Sequence, residues 1–144
     1  VIVVADTSGI IAAFDRNATE STDCRVALGE AGTVVMSPLV LAEVDHLAKA
    51  RFGSPARTKV IGFLLGQVRS LRFLVPEVTG EILDAARAVQ SRYGGLDLDL
   101  ADAVNVVLAS EFRTDVVLTL DRRDFRAMRP LTRHTSFRLL PDDG

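Results

Sequence analysis

Four carboxylates stand at two kinds of place in this chain. Asp6 closes the β-branched run Ile2-Val3-Val4-Ala5 and is followed by two hydroxyl residues, Thr7 and Ser8. Asp121 closes a second such run, Val116 to Leu120. Glu43 and Asp102 instead lie within apolar helical patterns. Leu39, Glu43 and Leu47 recur at i, i+4 and i+8, so Glu43 shares the apolar face of its helix. Around Asp102 the stripe Leu98, Ala101, Asn105, Leu108, Ala109 and Phe112 is apolar apart from Asp102 itself and Asn105. A short buried strand that ends in a carboxylate puts that group beyond the carboxyl end of a sheet, where open α/β folds bind ligands. A carboxylate on an apolar helix face needs a partner. Four of them at one sheet edge repel one another unless a hard cation sits among them.

Each acid also has a simpler explanation. Asp6 and Asp121 can cap the helices that follow them, with Asp124 at the third position of the second helix. Asp99 has the place of an N-cap one turn ahead of Asp102. Glu43 can pair with an arginine. The combination of two strand-end acids and two helix-face acids is harder to explain singly. An all-oxygen donor set selects Mg²⁺, or Mn²⁺, over zinc. His46 and His134 are far apart and lack ligand spacing. Thr7 and Ser8 have no evident base beside them, so their hydroxyls are expected to hydrogen-bond Asp6 or cap the next helix. No GxGxxG, GxxxxGK[ST] or GxSxG pattern occurs, which removes the dinucleotide, P-loop and serine-hydrolase readings.

The elements that must position these groups alternate. Strand-like runs cover residues 2–5, 33–37, 71–75, 116–120 and 136–140, and helical patterns cover 8–14, 21–31, 39–52, 55–68, 77–93 and 99–112. Pro38, Pro55 and Pro76 sit at or near element starts, and Gly53, Gly94 and Gly95 follow helical runs. This alternation predicts a three-layer α/β/α sandwich about a central, mostly parallel sheet of about five strands.

At 144 residues and 48% hydrophobic composition, the chain is expected to form one domain, residues 1–144, with a substantial core. No apolar run is long enough to span a bilayer, and no basic-then-apolar segment precedes Asp6. The single cysteine, Cys24, has no partner for an internal disulfide. A cytoplasmic protein with no membrane association is the expectation. The net charge is −2, from 17 basic and 19 acidic residues, which alone does not suggest a nucleic-acid binder. The distribution is uneven: seven arginines lie between Arg113 and Arg138 against Asp115, Asp121 and Asp124. That pattern fits either a basic rim beside an acidic pocket or a solvated surface. With seven Phe, one Tyr and no Trp there is little sign of a platform for stacking bases.

The ordered set Asp6-Thr7-Ser8, Ala42-Glu43, Leu100-Ala101-Asp102-Ala103 and Leu118-Thr119-Leu120-Asp121-Arg122-Arg123-Asp124-Phe125 resembles the PIN-domain ribonucleases, and more narrowly the VapC toxins of bacterial VapBC toxin–antitoxin pairs. The resemblance runs over the whole chain. It implies a PIN-like fold and a Mg²⁺-dependent endoribonuclease with Asp6, Glu43, Asp102 and Asp121 as the four acids. Many relatives have Asn in the place of Asp121 and an acid in the place of Asp124, so the fourth acid stays open between these two. Asp99 matches a position that is often Gly, which gives it a supporting role with Ser8, Asn105 and Asp124. Asp6 and Asp102 are expected as direct metal ligands, with Glu43 and Asp121 direct or through water. Arg122 and Arg123, in the basic 122–133 stretch, are expected to contact phosphates of the RNA.

The resemblance further implies a cognate VapB-type antitoxin and a homodimer. In the 55–68 helix, Ile61, Leu64, Leu65 and Val68 are expected to face inward, leaving Val60 and Phe63 to line a groove against the 39–52 helix, where Val40 and Val44 flank the inward face. Two other readings compete. One is a phosphatase or phosphotransferase of the haloacid-dehalogenase kind with Asp6 as nucleophile, although Ser8 stands where a second Asp is wanted. The other is a non-catalytic RNA-binding module of the same shape, although none of the four acids is missing.

Overall fold

The computed structural model describes residues 1–144. Its centre is a five-stranded sheet made of β1 (Ile2–Ala5), β2 (Thr33–Val35), β3 (Phe73–Leu74), β4 (Val116–Leu118) and β5 (Arg138–Leu140), in the order β3-β2-β1-β4-β5. Every pairing is parallel, so the sheet is parallel throughout rather than mostly so. Both faces are covered, which explains why its strands read as continuous apolar runs. Val3, Ala5, Val34, Phe73, Val116 and Leu118 point to one face. That face packs against α1 (Thr7–Phe14), α2 (Ser21–Glu30), α3 (Pro38–Phe52) and α4 (Ser54–Arg69). Val4, Val35, Val117 and Leu139 point to the other, under α5 (Gly80–Arg92), α6 (Leu100–Glu111) and α7 (Arg122–Ala127).

The chain builds β1, β2 and β3 outward in one direction, then returns to place β4 on the other flank of β1. The order therefore reverses between β1 and β4. This reversal opens a crevice at the carboxyl ends of those two strands. Asp6 follows β1 there and Asp121 follows β4.

Local sequence sets the helix ends. Ser37 accepts from Leu39 N and Pro38 opens α3. α3 stops at Gly53, whose φ of 90° suits glycine. The chain then enters α4 through Pro55 in its first turn. Thr79 caps α5 by accepting from Ile82 N, so this helix begins at Gly80 and not at residue 77. Strands β3 and β5 are also shorter than their apolar runs, because pairing ends where the neighbouring strand ends.

Two helix faces differ from the sequence expectation. On α3 the fully buried stripe is Val40, Val44 and Ala48. Leu39, Glu43 and Leu47 form a half-buried row beside it. On α4, Val60 turns inward with Leu64, while Leu65 is exposed and Phe63 is 50% exposed. The stripe of each helix is rotated because α3 and α4 pack on each other as well as on the sheet. Helix α6 has no exposed face from Ala101 to Ala109: it lies between α5 and the sheet and is buried all round.

Candidate active site

Asp6 is held from both strands of the crevice. Its backbone N–H donates to Leu118 O at 2.9 Å, continuing the β1–β4 pairing past the last strand residue. Its side chain caps α1, with Oδ1 accepting from Thr7 N at 2.8 Å. Oδ2 accepts from Thr119 Oγ1 at 2.7 Å and from Ser8 Oγ at 3.2 Å. Gly9 makes this closeness possible: a Cβ there would meet Leu118 Cγ at 2.7 Å and Leu118 O at 2.9 Å.

Thr7 and Ser8 behave as carboxylate holders. Thr7 Oγ1 donates to Glu43 Oε1 at 2.7 Å, tying the first turn of α1 to α3. Ser8 Oγ accepts from Leu120 N at 2.9 Å and lies 3.2 Å from Thr119 Oγ1. Thr119 Oγ1 accepts from Asp121 N at 2.9 Å. One small hydroxyl network thus fixes the acid after β1 against the acid after β4.

Asp102 enters from the first turn of α6. Asp99 caps that helix, its Oδ1 accepting from Asp102 N at 3.0 Å. Carboxylate oxygens of Asp6, Asp102 and Asp121 lie within 4.8 Å of one another. Oxygens bound to one Mg²⁺ at about 2.1 Å lie at most about 4.2 Å apart, so a small contraction gathers this set onto an ion. Glu43 lies outside that trio but lines the same open cavity of about 410 Å³, together with Asp99 and Asp15.

The electrostatics are those of an uncompensated acidic cluster. Burial pushes Asp6 above the usual carboxylate range, against the hydrogen bonds from Thr119, Thr7 and Ser8. Asp102 is pushed up to about 9, by burial first and then by the charges of Asp6, Asp99 and Asp121. Burial also raises Asp121, with Asp124 adding to it. Arg51 is the one basic side chain lining the cavity, and it forms no ion pair with these acids.

Asn105 adds a second sign that the site suits a hydrated cation. It is fully buried, its Nδ2 lies 3.5 Å from Asp6 Oδ1, and its Oδ1 has no hydrogen-bond partner. An orphaned acceptor beside three repelling carboxylates fits a hydrated hard ion that supplies both charge and donors.

Other expected residues fall differently. Asp121 occupies the N-cap position of α7 but makes no capping hydrogen bond, which leaves its carboxylate to the cluster. Asp124 is not among the converging oxygens. Arg122 is engaged elsewhere, with Nε 2.6 Å from Asp142 and a second contact of 3.6 Å to Glu20. Arg123 is exposed on α7. Cys24 is buried, and burial lifts its thiol to about 11, so it is inert. Thr119, Asp15 and Arg51 were not singled out from the sequence. Thr119 had one legible sign: a hydroxyl residue inside an apolar strand, two positions before the acid.

Comparison with known proteins agrees with this geometry. The PIN-domain family model matches residues 3–129. The chain is 38% identical over 130 residues to Ribonuclease VapC26 of Mycobacterium tuberculosis, covering 90% of this chain and 93% of that protein. Among solved structures it is similar to VapC20 of the same species, a Sarcin-Ricin loop cleaving toxin. That match has a TM-score of 0.72 and 18% identity, covering 83% of this chain and 90% of that one. It is also similar to VapBC2 from Rickettsia felis bound to a promoter DNA fragment. Here the TM-score is 0.66 at 14% identity, with coverage of 92% and 96%. With its switch-point acids, its parallel sheet and these matches, the chain belongs to the PIN-domain family and resembles the VapC proteins within it.

Proposed function

We propose that this protein is a Mg²⁺-dependent endoribonuclease, the toxin of a type II toxin–antitoxin pair. The observation that carries the reading is the convergence of Asp6, Asp102 and Asp121 beside an orphaned Asn105 acceptor at the β1–β4 switch point. The 38% identity to a named ribonuclease supports the substrate class. Asp6, Asp102 and Asp121 would hold the ion, with Mn²⁺ an effective substitute. Once bound, the ion supplies charge for the scissile phosphodiester and activation of a water. Glu43, fixed by Thr7, faces the same cavity and is placed to orient and deprotonate that water. Thr119 and Ser8 donate to Asp6 Oδ2, which opposes the rise that burial imposes on this carboxyl group. Arg123, exposed on α7, would contact flanking phosphates.

The phosphatase alternative is weakened by the same geometry. Both Asp6 oxygens are occupied by donors, and the residue is only 4% exposed. The reading is tested by incubating the protein with total RNA in Mg²⁺, in EDTA and as Asp6→Asn, then sequencing the new 5′ ends. Discrete ends that need both metal and Asp6 support it. Identical fragments in all three would sink it.

A VapB-type antitoxin and a homodimer complete the proposal. Phe63, half exposed and edge-on to Phe14 at 5.6 Å, offers an apolar anchor on α4. The inward turn of Val60 removes it from that surface. Phe63→Asp should weaken co-purification with the product of the adjacent small reading frame. Undiminished capture by a folded Phe63→Asp protein would place the partner elsewhere. No helix is long and apolar enough to cross a membrane, and a cytoplasmic site of action accords with an RNA substrate.

A further inference from the structure

The sequence suggests that RNA approaches over the arginine-rich α7 side. Three of the seven arginines on that side are already engaged. Arg122 pairs with Asp142 and Glu20, Arg126 makes two 2.7 Å contacts with Asp143, and Arg138 donates to Asp143 O. On the opposite rim lies an open cleft of about 590 Å³ between the end of α1, the end of α3 and the start of α4. Arg16, Arg51 and Lys59 line it, all exposed and none in an ion pair. Arg57, one turn from the same cleft, differs in pairing with Asp45 at 3.2 Å. The cleft holds one carboxylate, Asp15, which accepts from Asn17 N. Phe14 and Phe52, both partly buried, line the same cleft, with Phe14 packed against Phe63 at its edge. Arg51 and Asp15 also line the acidic cavity, so the two spaces adjoin at these side chains.

Resting on the ribonuclease reading, we propose that single-stranded RNA flanking the scissile bond runs from the acidic crevice into this α1–α3–α4 cleft. Arg51 takes the phosphate next to the metal site, Arg16 and Lys59 take the following phosphates, and Phe52 with Phe14 gives a base an apolar wall to stack on. Charge complementarity and adjacency to the acidic cavity select this occupant. Three free cations against one acid suit a polyanion, and aromatic residues in the lining suit unstacked bases. The arrangement makes this cleft, more than α7, the determinant of which unpaired nucleotides are accepted.

The test uses a fluorescent single-stranded RNA of about eight nucleotides, a length typical of such sites, bound to the Asp6→Asn protein over a range of salt. Arg16→Ala and Lys59→Ala should each weaken binding and each lower the slope of log Kd against log salt by about 0.7, the value for one single-strand phosphate contact. Phe52→Leu stays apolar but removes the π face, and should weaken binding roughly fivefold or more with the slope unchanged. In the wild-type background the same changes should raise KM and leave kcat within about twofold, since uniform binding is what they remove. Arg57→Ala serves as the control and should leave the slope as it is. Unchanged slopes and KM in both Arg16→Ala and Lys59→Ala, with metal-dependent cleavage intact, would overturn the path while leaving the ribonuclease reading standing. Absence of any RNA cleavage by the wild-type protein would instead remove the reading on which the path rests.

Discussion

Thr119 Oγ1 lies 2.7 Å from Asp6 Oδ2, joining residues 113 positions apart, and the same oxygen accepts from Asp121 N. One hydroxyl therefore orients two members of the acidic cluster and opposes the rise that burial imposes on Asp6. Thr119→Val keeps the shape and removes both bonds. We expect a folded protein with roughly 10–100-fold weaker metal binding, the usual cost of losing a group that orients a ligand. Mn²⁺ titration followed by the thermal midpoint measures it, and unaltered affinity would show that Asp6 is held without Thr119. Thr119→Ser should restore most of the binding.

The raised carboxyl groups set a pH dependence for the metal-free protein. Well below pH 4, Asp102 is protonated in both folded and unfolded chains and costs nothing. Between there and about 9 the folded chain keeps a proton that the unfolded chain has lost, so stability falls as pH rises. Asp6 and Asp121 are raised too and act in the same direction. In EDTA the thermal midpoint should therefore decline from about pH 5 to about pH 8.5, between the usual carboxylate range and the raised one, and Asp102→Asn should flatten the decline and raise the midpoint at the upper end. A wild-type midpoint that climbs over this range would contradict the burial of the cluster.

Metal should reverse that trend, because its ligands must be deprotonated. At about a hundredfold excess over Kd, Mn²⁺ should raise the midpoint by roughly 5–10 °C, with the larger shift at the higher pH. Calorimetric scans with and without Mn²⁺ at two pH values decide the matter. A shift of equal size in Asp6→Asn would mean that the ion binds outside the crevice.

Asp121 and Asp124 differ in geometry, and activity should follow. Asp121 belongs to the converging trio and Asp124 does not. Asp121→Asn should lower RNA cleavage by about 1.4–2.8 kcal/mol of transition-state stabilisation, or ten- to a hundredfold. Asp124→Asn relieves a repulsion on Asp121 and should leave cleavage within about threefold. Single-turnover rates at saturating metal compare the two, and the opposite ranking would make Asp124 the fourth acid.

Arg122 is spent on an intramolecular network with Asp142 and Glu20. Arg122→Ala should lower the thermal midpoint by about 2 °C or less, as half-exposed pairs contribute little. KM for RNA should barely change, while Arg123→Ala, whose side chain is exposed, should raise it. If Arg122→Ala proves the more damaging to KM, the C-terminal acids release this side chain when RNA binds.

The sequence alone determined which residues end strands and which lie on apolar helices. It thereby located the parallel sheet, the strand-end acids Asp6 and Asp121 and the acids Glu43 and Asp102, because hydrophobic periodicity and caps are local properties. Asp99 as the cap of α6 was legible for the same reason. Tertiary structure alone decided which groups meet. The return of the chain to place β4 beside β1 brings Thr119 to Asp6, and nothing within either segment encodes that pairing. The rotation of α3 and α4 on each other turned Val60 inward and left Leu65 exposed, since a helix packed on two surfaces has an apolar arc too broad for its centre to be read from spacing. Charge was the least legible of all. Counting arginines pointed to the α7 side, but whether an arginine is free depends on acids distant in the chain: Asp142 and Glu20 reach Arg122, while none reaches Arg16, Arg51 or Lys59.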